Sequence, residues 1–538
     1  MGANPRPALA GIGLQSCVRG DRSPKLARLA AWASLDFGLM AFGSDLSPEA
    51  LERARRSRDP RFDGRFVIAV ASSRIYCRPV CPVSFASSVR FYATAAEAET
   101  AGYRPCLRCR PEAAPGSPAW RGTSATVSRA LRLIEEGALD RGSVTTLAAR
   151  VGIGARHLNR LMTEQVGAPP LAIAQTRRLH FAKLLLSDTA MSITDIALAS
   201  GYGSVRRFND AFKAAYRRAP SEIRRRPPPG EAANRITLRL AYRPPFDWAQ
   251  TLALLAGEAV PGVERAAAGS YARAVQGADG PVLVEITDRP ASRALSMQVR
   301  GAGPADLSAL ATTARRVFDL TADPARITCA FQDDALLGPL VRARPGLRLL
   351  GVWSRFEAMV RAVLEDHPAL SRLAERFGAR IDGEESGLTR LFPRPEEVAF
   401  ADLEAIGLSA ARSETLRGVA RAVLDGTLKP NDAPERVMQM LARIPGFGES
   451  RAQWVGLRGY EEPDAFPSES LRLPPCGREP AADAVAIRES AEAWRPWRGY
   501  AFFHLLAAAR GVTASETPGP GEDGSPSPPA AERIRVIR

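Results

Sequence analysis

Cys77 and Cys81, then Cys106 and Cys109, form two short-spaced thiol pairs: Cys-x3-Cys, a gap, then Cys-x2-Cys. Two close pairs supply four tetrahedral sulfur ligands without threading the chain, which is what a structural zinc site requires. A metal-bound sulfur is a thiolate, so the same site is also a nucleophile. Arg74, Arg78, Arg104, Arg108 and Arg110 surround the four cysteines and point the cluster toward a polyanion. The other three of the seven cysteines, Cys17, Cys329 and Cys476, are scattered, as in a reducing compartment rather than a disulfide framework.

The elements that must carry these residues follow from periodicity. Leu46 to Arg56 has helical spacing, Phe66 to Val70 reads as a strand, and Ile75-Tyr76 as a second strand running into Cys77. Beyond a linker at Ala113 to Pro118, Val127, Ala130, Leu131 and Ile134 recur at helical spacing. Thr145 to Gly154 and a helix from Ala155 to Gln165 then make a helix, a glycine turn and a second helix carrying Arg156, Asn159 and Arg160. A second copy follows, with a first helix at Ile193 to Ala199 and a turn at Gly201 to Gly203. Ser204 caps its recognition helix, which holds Val205, Arg206, Arg207, Asn209 and Lys213 outward and Phe208 and Phe212 inward.

Charge follows the same division. The chain has 73 basic and 58 acidic residues, a net of +15. Residues 1–120 carry 17 and 10, residues 121–226 carry 18 and 8, and 227–538 carry 38 and 40. The phosphate-seeking charge is therefore in the first 226 residues, with Arg224 to Arg226 as a backbone contact. No apolar run approaches the roughly 18 residues of a membrane span. No secretion signal is legible, so a cytoplasmic location and no membrane partner are expected.

Several stretches of the zinc region resemble the N-terminal domain of Ada-type alkylation-response regulators. They are Arg58-Asp59-Pro60, Phe62 to Phe66, Ile75 to Cys81, Val89 to Tyr92 and Gly102 to Cys109. The resemblance implies one zinc ion (Zn2+) held by Cys77, Cys81, Cys106 and Cys109, with Cys77 taking a methyl group irreversibly from a DNA methylphosphotriester. The paired helices resemble the AraC-type helix-turn-helix, down to Phe208, Phe212-Lys213 and Pro220, with Arg217 where that family usually has glycine. Such a regulator implies double-stranded promoter DNA and RNA polymerase as partners. Arg74, Arg78, Arg104, Arg156, Asn159, Arg160, Ser204, Arg206, Arg207, Asn209 and Lys213 are its candidate DNA contacts.

The remainder resembles AlkA-like 3-methyladenine DNA glycosylases. Strands are expected at 236–242, 282–286 and 295–299 with helices at 247–257 and 304–319, and Tyr242 to Trp248 matches that family's N-terminal domain. Ile444-Pro445-Gly446-Phe447-Gly448, between helices at 434–442 and 449–459, reads as a helix-hairpin-helix; Pro445, Gly446 and Gly448 bring backbone N–H groups to a DNA phosphate. Asp464 to Pro467 and Ala493 to Tyr500 add to the likeness, which implies flipping of an alkylated base and hydrolysis of its glycosidic bond. The family's catalytic aspartate falls at Ser470, so impaired excision is expected. Two alternatives stand beside this: active excision with Glu469 as a substitute, or a purely regulatory DNA-binding protein.

The expected fold is multidomain α+β. A small zinc-bound α/β domain covers 46–118, and an all-α paired helix-turn-helix covers 119–226. An α+β AlkA-like N-terminal domain covers 235–345, and an all-α helix-hairpin-helix domain 350–511. The extension 1–45 and tail 512–538 are expected to be disordered.

Overall fold

The computed structural model describes residues 46–83, 88–115, 125–224, 235–365, 367–381, 387–470, 487 and 490–509. The expectations for 1–45, for Arg225-Arg226, for Cys476 and for the tail lie outside the described residues.

The zinc region opens with α1 (Pro48–Ser57), whose N-cap Ser47 accepts from the Ala50 N–H. Strands β1 (Val67–Val70), β2 (Ile75–Cys77), β3 (Val89–Tyr92) and β4 (Arg104–Pro105), with α2 (Ala95–Thr100) before β4, form a sheet of order β3-β1-β2-β4. β1 is buried on both faces. Ile68 packs with Leu51, Ala54 and Phe66 on one side; Val67 and Ala69 pack with Tyr76, Ala98 and Tyr103 on the other. Cores this small do not hold a domain of this size alone, which makes the four thiols part of its stability.

The helix-turn-helix pair comprises α3 (Ala125–Glu135), α4 (Val144–Arg150), α5 (Ala155–Val166), the long α6 (Pro170–Asp188), α7 (Ile193–Ala199) and α8 (Val205–Tyr216), closed by the single turn α9 (Pro220–Ile223). Ser143, Ser192 and Ser204 each accept an N–H from the third helical residue, which fixes three of the helix starts.

Next comes a five-stranded antiparallel sheet built from β5 (Arg235–Ala241), β6 (Glu264–Ala267), β7 (Ser270–Gln276), β8 (Pro281–Arg289) and β9 (Ala294–Arg300), in the order β5-β9-β8-β7-β6. Its helices are α10 (Trp248–Ala256), α11 (Pro304–Val317), α12 (Pro324–Phe331) and α13 (Leu337–Ala343). Sequence periodicity gave three of these strands and not β6 or β7. Those two are rich in alanine and arginine, and a buried ion cluster holds them: Arg273 pairs with Glu264 at 2.8 Å and with Glu357 at 2.5 Å.

The last region contains α14 (Arg355–Leu364), α15 (His367–Phe377), the short α16 (Pro395–Val398), α17 (Ala410–Leu424), α18 (Pro434–Arg443), α19 (Glu449–Tyr460) and α20 (Arg498–Ala509). Met359, Leu373, Leu416, Leu441, Phe447 and Val455 form its own core. A second, larger core crosses the expected domain boundaries. It runs from Leu185, Phe208 and Phe212 through Leu238, Ile286 and Met297 to Phe318, Trp497 and Phe503. The second helix-turn-helix copy is thus packed on the sheet region. The first copy is tied to the helix-hairpin-helix region by Arg129–Glu435 at 2.6 Å and by Arg132 donating to the Tyr460 carbonyl at 2.8 Å.

Candidate metal centre and nucleic-acid interface

The sheet register builds the thiol cluster. Cys77 ends β2, which pairs with β4 in parallel, and the Cys106 N–H donates to the Tyr76 carbonyl at 3.0 Å. The first and third cysteines are thereby set side by side. A turn closed by the Cys81 N–H on the Arg78 carbonyl (3.1 Å) brings in Cys81, and the Arg78 N–H donates to Cys109 Sγ at 3.4 Å. All four side chains are buried, and their Sγ atoms lie within 4.8 Å of one another. Four sulfurs at about 2.3 Å from a tetrahedral zinc stand about 3.8 Å apart, so the donor set fits one zinc ion with little movement. Four thiolates this close together repel one another, and a bound cation is what would hold them deprotonated side by side.

The arginines divide into two groups. Arg74 is exposed, with its guanidinium over the Tyr103 ring at 5.0 Å, and its carbonyl accepts the Arg104 N–H at 2.9 Å. Arg104 is half-buried and Arg108 exposed. Arg78, expected on DNA, is instead turned inward: Nε donates to Asp63 Oδ1 at 2.9 Å, Nη2 pairs with Asp63 Oδ2, and Nη1 donates to the Cys109 carbonyl at 3.1 Å. Arg110 pairs with Glu112 and with Asp188 of α6, both at 3.1 Å. A buried carboxylate within reach takes an arginine before solvent or DNA can, and sequence spacing does not show such a carboxylate.

In the reading module, α8 is the freer helix. Arg206, Arg207, Asn209 and Lys213 are exposed, Ser204 is half-buried at the N-cap, and Phe208, Phe212 and Tyr216 stack inward at 5.5 and 4.4 Å. Val205 is half-buried against the core rather than outward, because it sits on the flank of that aromatic stripe. On α5, Arg156 is exposed and Arg160 pairs with Glu164 at 3.0 Å. Asn159 is half-buried and donates back to the Ala155 carbonyl at 2.9 Å, so its amide serves its own helix.

In the hairpin between α18 and α19, Phe447 is the buried anchor while Pro445, Gly446 and Gly448 are exposed. Gly446 (φ +79°) and Gly448 (φ +77°) both lie in the left-handed region. A Cβ on Gly446 would strike Thr415 Oγ1, which donates to the Pro445 carbonyl at 3.0 Å; a Cβ on Gly448 would meet open space. Arg451 donates to the Gly446 carbonyl at 2.6 Å and to Glu365 at 2.8 Å, a brace the sequence reading missed. Ser470 closes a single 3-10 turn, Ser468–Ser470, with Glu469 exposed beside it. Asp464, the carboxylate upstream of this turn, is held by Arg498 at 2.8 Å and by Arg495. Those two arginines lie in the Ala493 to Tyr500 stretch that resembles the glycosylases, but their pairing with Asp464 is not legible from spacing.

Comparison with known proteins places these parts. Residues 50–112 match the metal binding domain of Ada, 147–226 a helix-turn-helix domain, and 237–354 the AlkA N-terminal domain. A probable bifunctional transcriptional activator/DNA repair enzyme AlkA of Mycobacterium tuberculosis is 36% identical over 476 residues, covering 85% of this chain and 95% of that one. DNA-3-methyladenine glycosylase 2 of Escherichia coli is 34% identical over 280 residues, 49% of this chain and 95% of that one. The bifunctional activator/repair enzyme Ada of the same organism is 36% identical over 148 residues, 27% of this chain and 40% of that one. The chain belongs to the family in which an Ada-like metal-binding regulator with a helix-turn-helix is fused to an AlkA-like DNA glycosylase. Among the described residues no helix is long and apolar enough to cross a membrane.

Proposed function

We propose that Cys77, as a zinc thiolate, accepts the methyl group of a DNA methylphosphotriester and that this switches on sequence-specific DNA binding by the paired helix-turn-helix. The observation that carries the reading is the buried four-sulfur cluster with Cys77 at the end of β2. When bound, zinc supplies the positive charge that keeps all four sulfurs deprotonated. The Cys77 sulfur attacks the methyl carbon, a carbon–sulfur bond forms, the carbon–oxygen bond breaks, and the phosphate leaves as an ordinary diester anion. The thioether cannot return the methyl, so each protein acts once.

The same step changes the charge facing DNA. Four thiolates on a dication total −2, and one methylation leaves −1. Removing a unit charge about 8 Å from a phosphate at an effective dielectric near 20 is worth about 2 kcal/mol, roughly 30-fold in affinity. Arg74 and Arg104 would hold the backbone near the cluster. Arg206, Arg207, Asn209 and Lys213 of α8, with Arg156 and Arg160 of α5, would read the promoter grooves. RNA polymerase is then the downstream partner, in the cytoplasm.

In the glycosylase-like half, Pro445, Gly446 and Gly448 offer a phosphate hairpin, but Ser470 replaces a carboxylate. A neutral hydroxyl supplies neither full charge nor comparable basicity, and one such contact is typically worth about 3–4 kcal/mol. Excision is therefore impaired. The exposure of Glu469 next to Ser470 favours a second reading in which Glu469 takes the role.

The test is incubation with duplex carrying methylphosphotriesters, followed by mass mapping of the protein. Methyl on Cys77, lost in Cys77→Ala while basal DNA binding survives, is the expected result. Undiminished methyl uptake by Cys77→Ala overturns the assignment.

A further inference from the structure

The loop that braces the thiol cluster is itself held by the glycosylase-like half. Asp63, 5% exposed, grips Arg78, and Arg78 in turn ties the Cys77–Cys81 turn to the Cys109 carbonyl. The Asp63 backbone does not stand alone. Its carbonyl accepts Nε of Arg243 at 2.9 Å, and Arg243 belongs to the segment after β5, far along the chain. Arg243 is completely buried; Nη1 donates to the Thr321 carbonyl at 2.6 Å and to the Ala322 carbonyl at 3.2 Å. Burial lowers its guanidinium to about 10, so it remains a cation at neutral pH.

Three further contacts fix the same junction. Arg65 pairs with the buried Asp323 at 3.2 Å. Gly64 (φ +75°) lies so close to the Pro115 carbonyl and to Arg243 Nη2 that a Cβ has no room. Arg348, also fully buried, donates to the Arg243 carbonyl at 2.6 Å and to the Pro245 carbonyl at 2.9 Å, which locks the segment bearing Arg243. A continuous set of bonds therefore runs from the sheet region to Asp63, to Arg78 and to both halves of the metal-binding turn.

We infer that Arg243 is a positioning residue of the methyl-acceptor site, so that the glycosylase-like half completes the geometry in which Cys77 reacts. The inference rests on the proposed methyl transfer for its consequence, and on the junction geometry alone for its premise. A buried guanidinium spent on three carbonyls of two regions is costly to desolvate. It repays that cost only by holding those regions in one arrangement. Groups behind metal ligands typically set metal retention and reactivity by about 10–100-fold, and small displacements of a reacting atom cost similar factors in rate.

The full-length zinc protein is compared with Arg243→Met, Arg243→Lys and Asp63→Asn in two assays. The first is the rate of zinc release to a chromophoric chelator, which needs no methyl transfer. The second is single-turnover methyl uptake against DNA concentration. Expected are zinc release faster by about tenfold or more in Arg243→Met and Asp63→Asn, with partial recovery in Arg243→Lys. The saturating rate of uptake should fall by a similar factor, with the half-saturating DNA concentration nearly unchanged. Should Arg243→Met fail to fold, Arg243→Lys decides, since it keeps the buried cation but lacks the fork that spans the Asp63 and Thr321 carbonyls. Asp63→Asn reads the next link, because it removes the carboxylate charge facing Arg78 and keeps the Asp63 carbonyl. Wild-type zinc release and wild-type uptake in Arg243→Met, or in Arg243→Lys where Arg243→Met does not fold, overturn the inference. A wild-type protein that takes no methyl overturns the proposed function instead, and zinc release still judges Arg243.

Discussion

Gly167 and Arg217 end the two recognition helices in the same left-handed conformation, φ +79° in one copy and +56° in the other. Each N–H closes its helix, on the Thr163 carbonyl at 3.1 Å and the Lys213 carbonyl at 2.9 Å. The geometry is the C-cap that glycine adopts freely and a side chain adopts at a cost of about 1–2 kcal/mol. Glycine loses about 0.5–1 kcal/mol more backbone entropy on folding. Arg217→Gly is therefore expected to stabilise the chain by about 0.5–1 kcal/mol, read as a higher urea midpoint. A lower midpoint would mean that the exposed Arg217 side chain contributes more than its backbone strain costs.

Removal of the metal should act locally. The two cores flanking β1 are small, whereas the larger core from α6 to α20 contains none of the four cysteines. Chelation of zinc is expected to open residues 46–113 to protease while the helix-turn-helix and sheet regions stay resistant, as mapped by mass spectrometry of early fragments. Uniform cleavage throughout the chain would contradict this partition.

Much of the site was readable before the fold, and the reason is spacing. Four cysteines in two chelating pairs, two glycine turns and a Pro-Gly-x-Gly hairpin are local patterns, and each is where local chemistry decides the backbone. What escaped depended on partners distant in sequence. Arg78 points inward because Asp63 lies behind it, β7 exists because Arg273 meets Glu264 and Glu357, and the second helix-turn-helix copy merges with the sheet through Phe208 and Phe212. Asn159 escaped for a different reason: a short amide on a helix competes for its own backbone carbonyl.

His504 on α20 gives a pH signature. It is 2% exposed, its Nδ1 has no hydrogen-bond partner among the described residues, and burial, with Arg344 nearby, pushes it down to about 4. In the unfolded chain it titrates near 6.5, so the unfolded state takes the proton first. Its share of stability is full above about pH 6.5 and falls as pH drops toward about 4, by about 2 kcal/mol at pH 5. Asp319, which burial raises to about 7, titrates in the same window with the opposite sign. The effect of Asp319 cancels when wild type is compared with His504→Leu. Urea unfolding at about pH 7 and pH 5 should show wild type losing about 2 kcal/mol more than the variant; equal losses would remove His504 from the account.

The proposed impairment of the glycosylase-like half is tested at one position. The hairpin is formed, with Gly448 facing open space, and the turn Ser468–Ser470 follows it. Among the described residues of this stretch, Asp464 is paired with Arg498 and Arg495, and Glu469 is the carboxylate on the turn itself. Consecutive residues on a 3-10 turn are set about 120° apart around its axis, so neighbouring positions are not interchangeable. Wild-type protein on alkylated duplex is therefore expected to leave abasic sites at background level. On the proposed reading, Ser470→Asp would put a carboxylate back at the position that faces the oxocarbenium-like transition state and should raise excision by about 10²–10³. Glu469→Gln should change nothing in either background. Excision by the wild type that Glu469→Gln abolishes would establish the second reading, with Glu469 as the acid-base group. An inert Ser470→Asp would show that the site lacks more than its carboxylate.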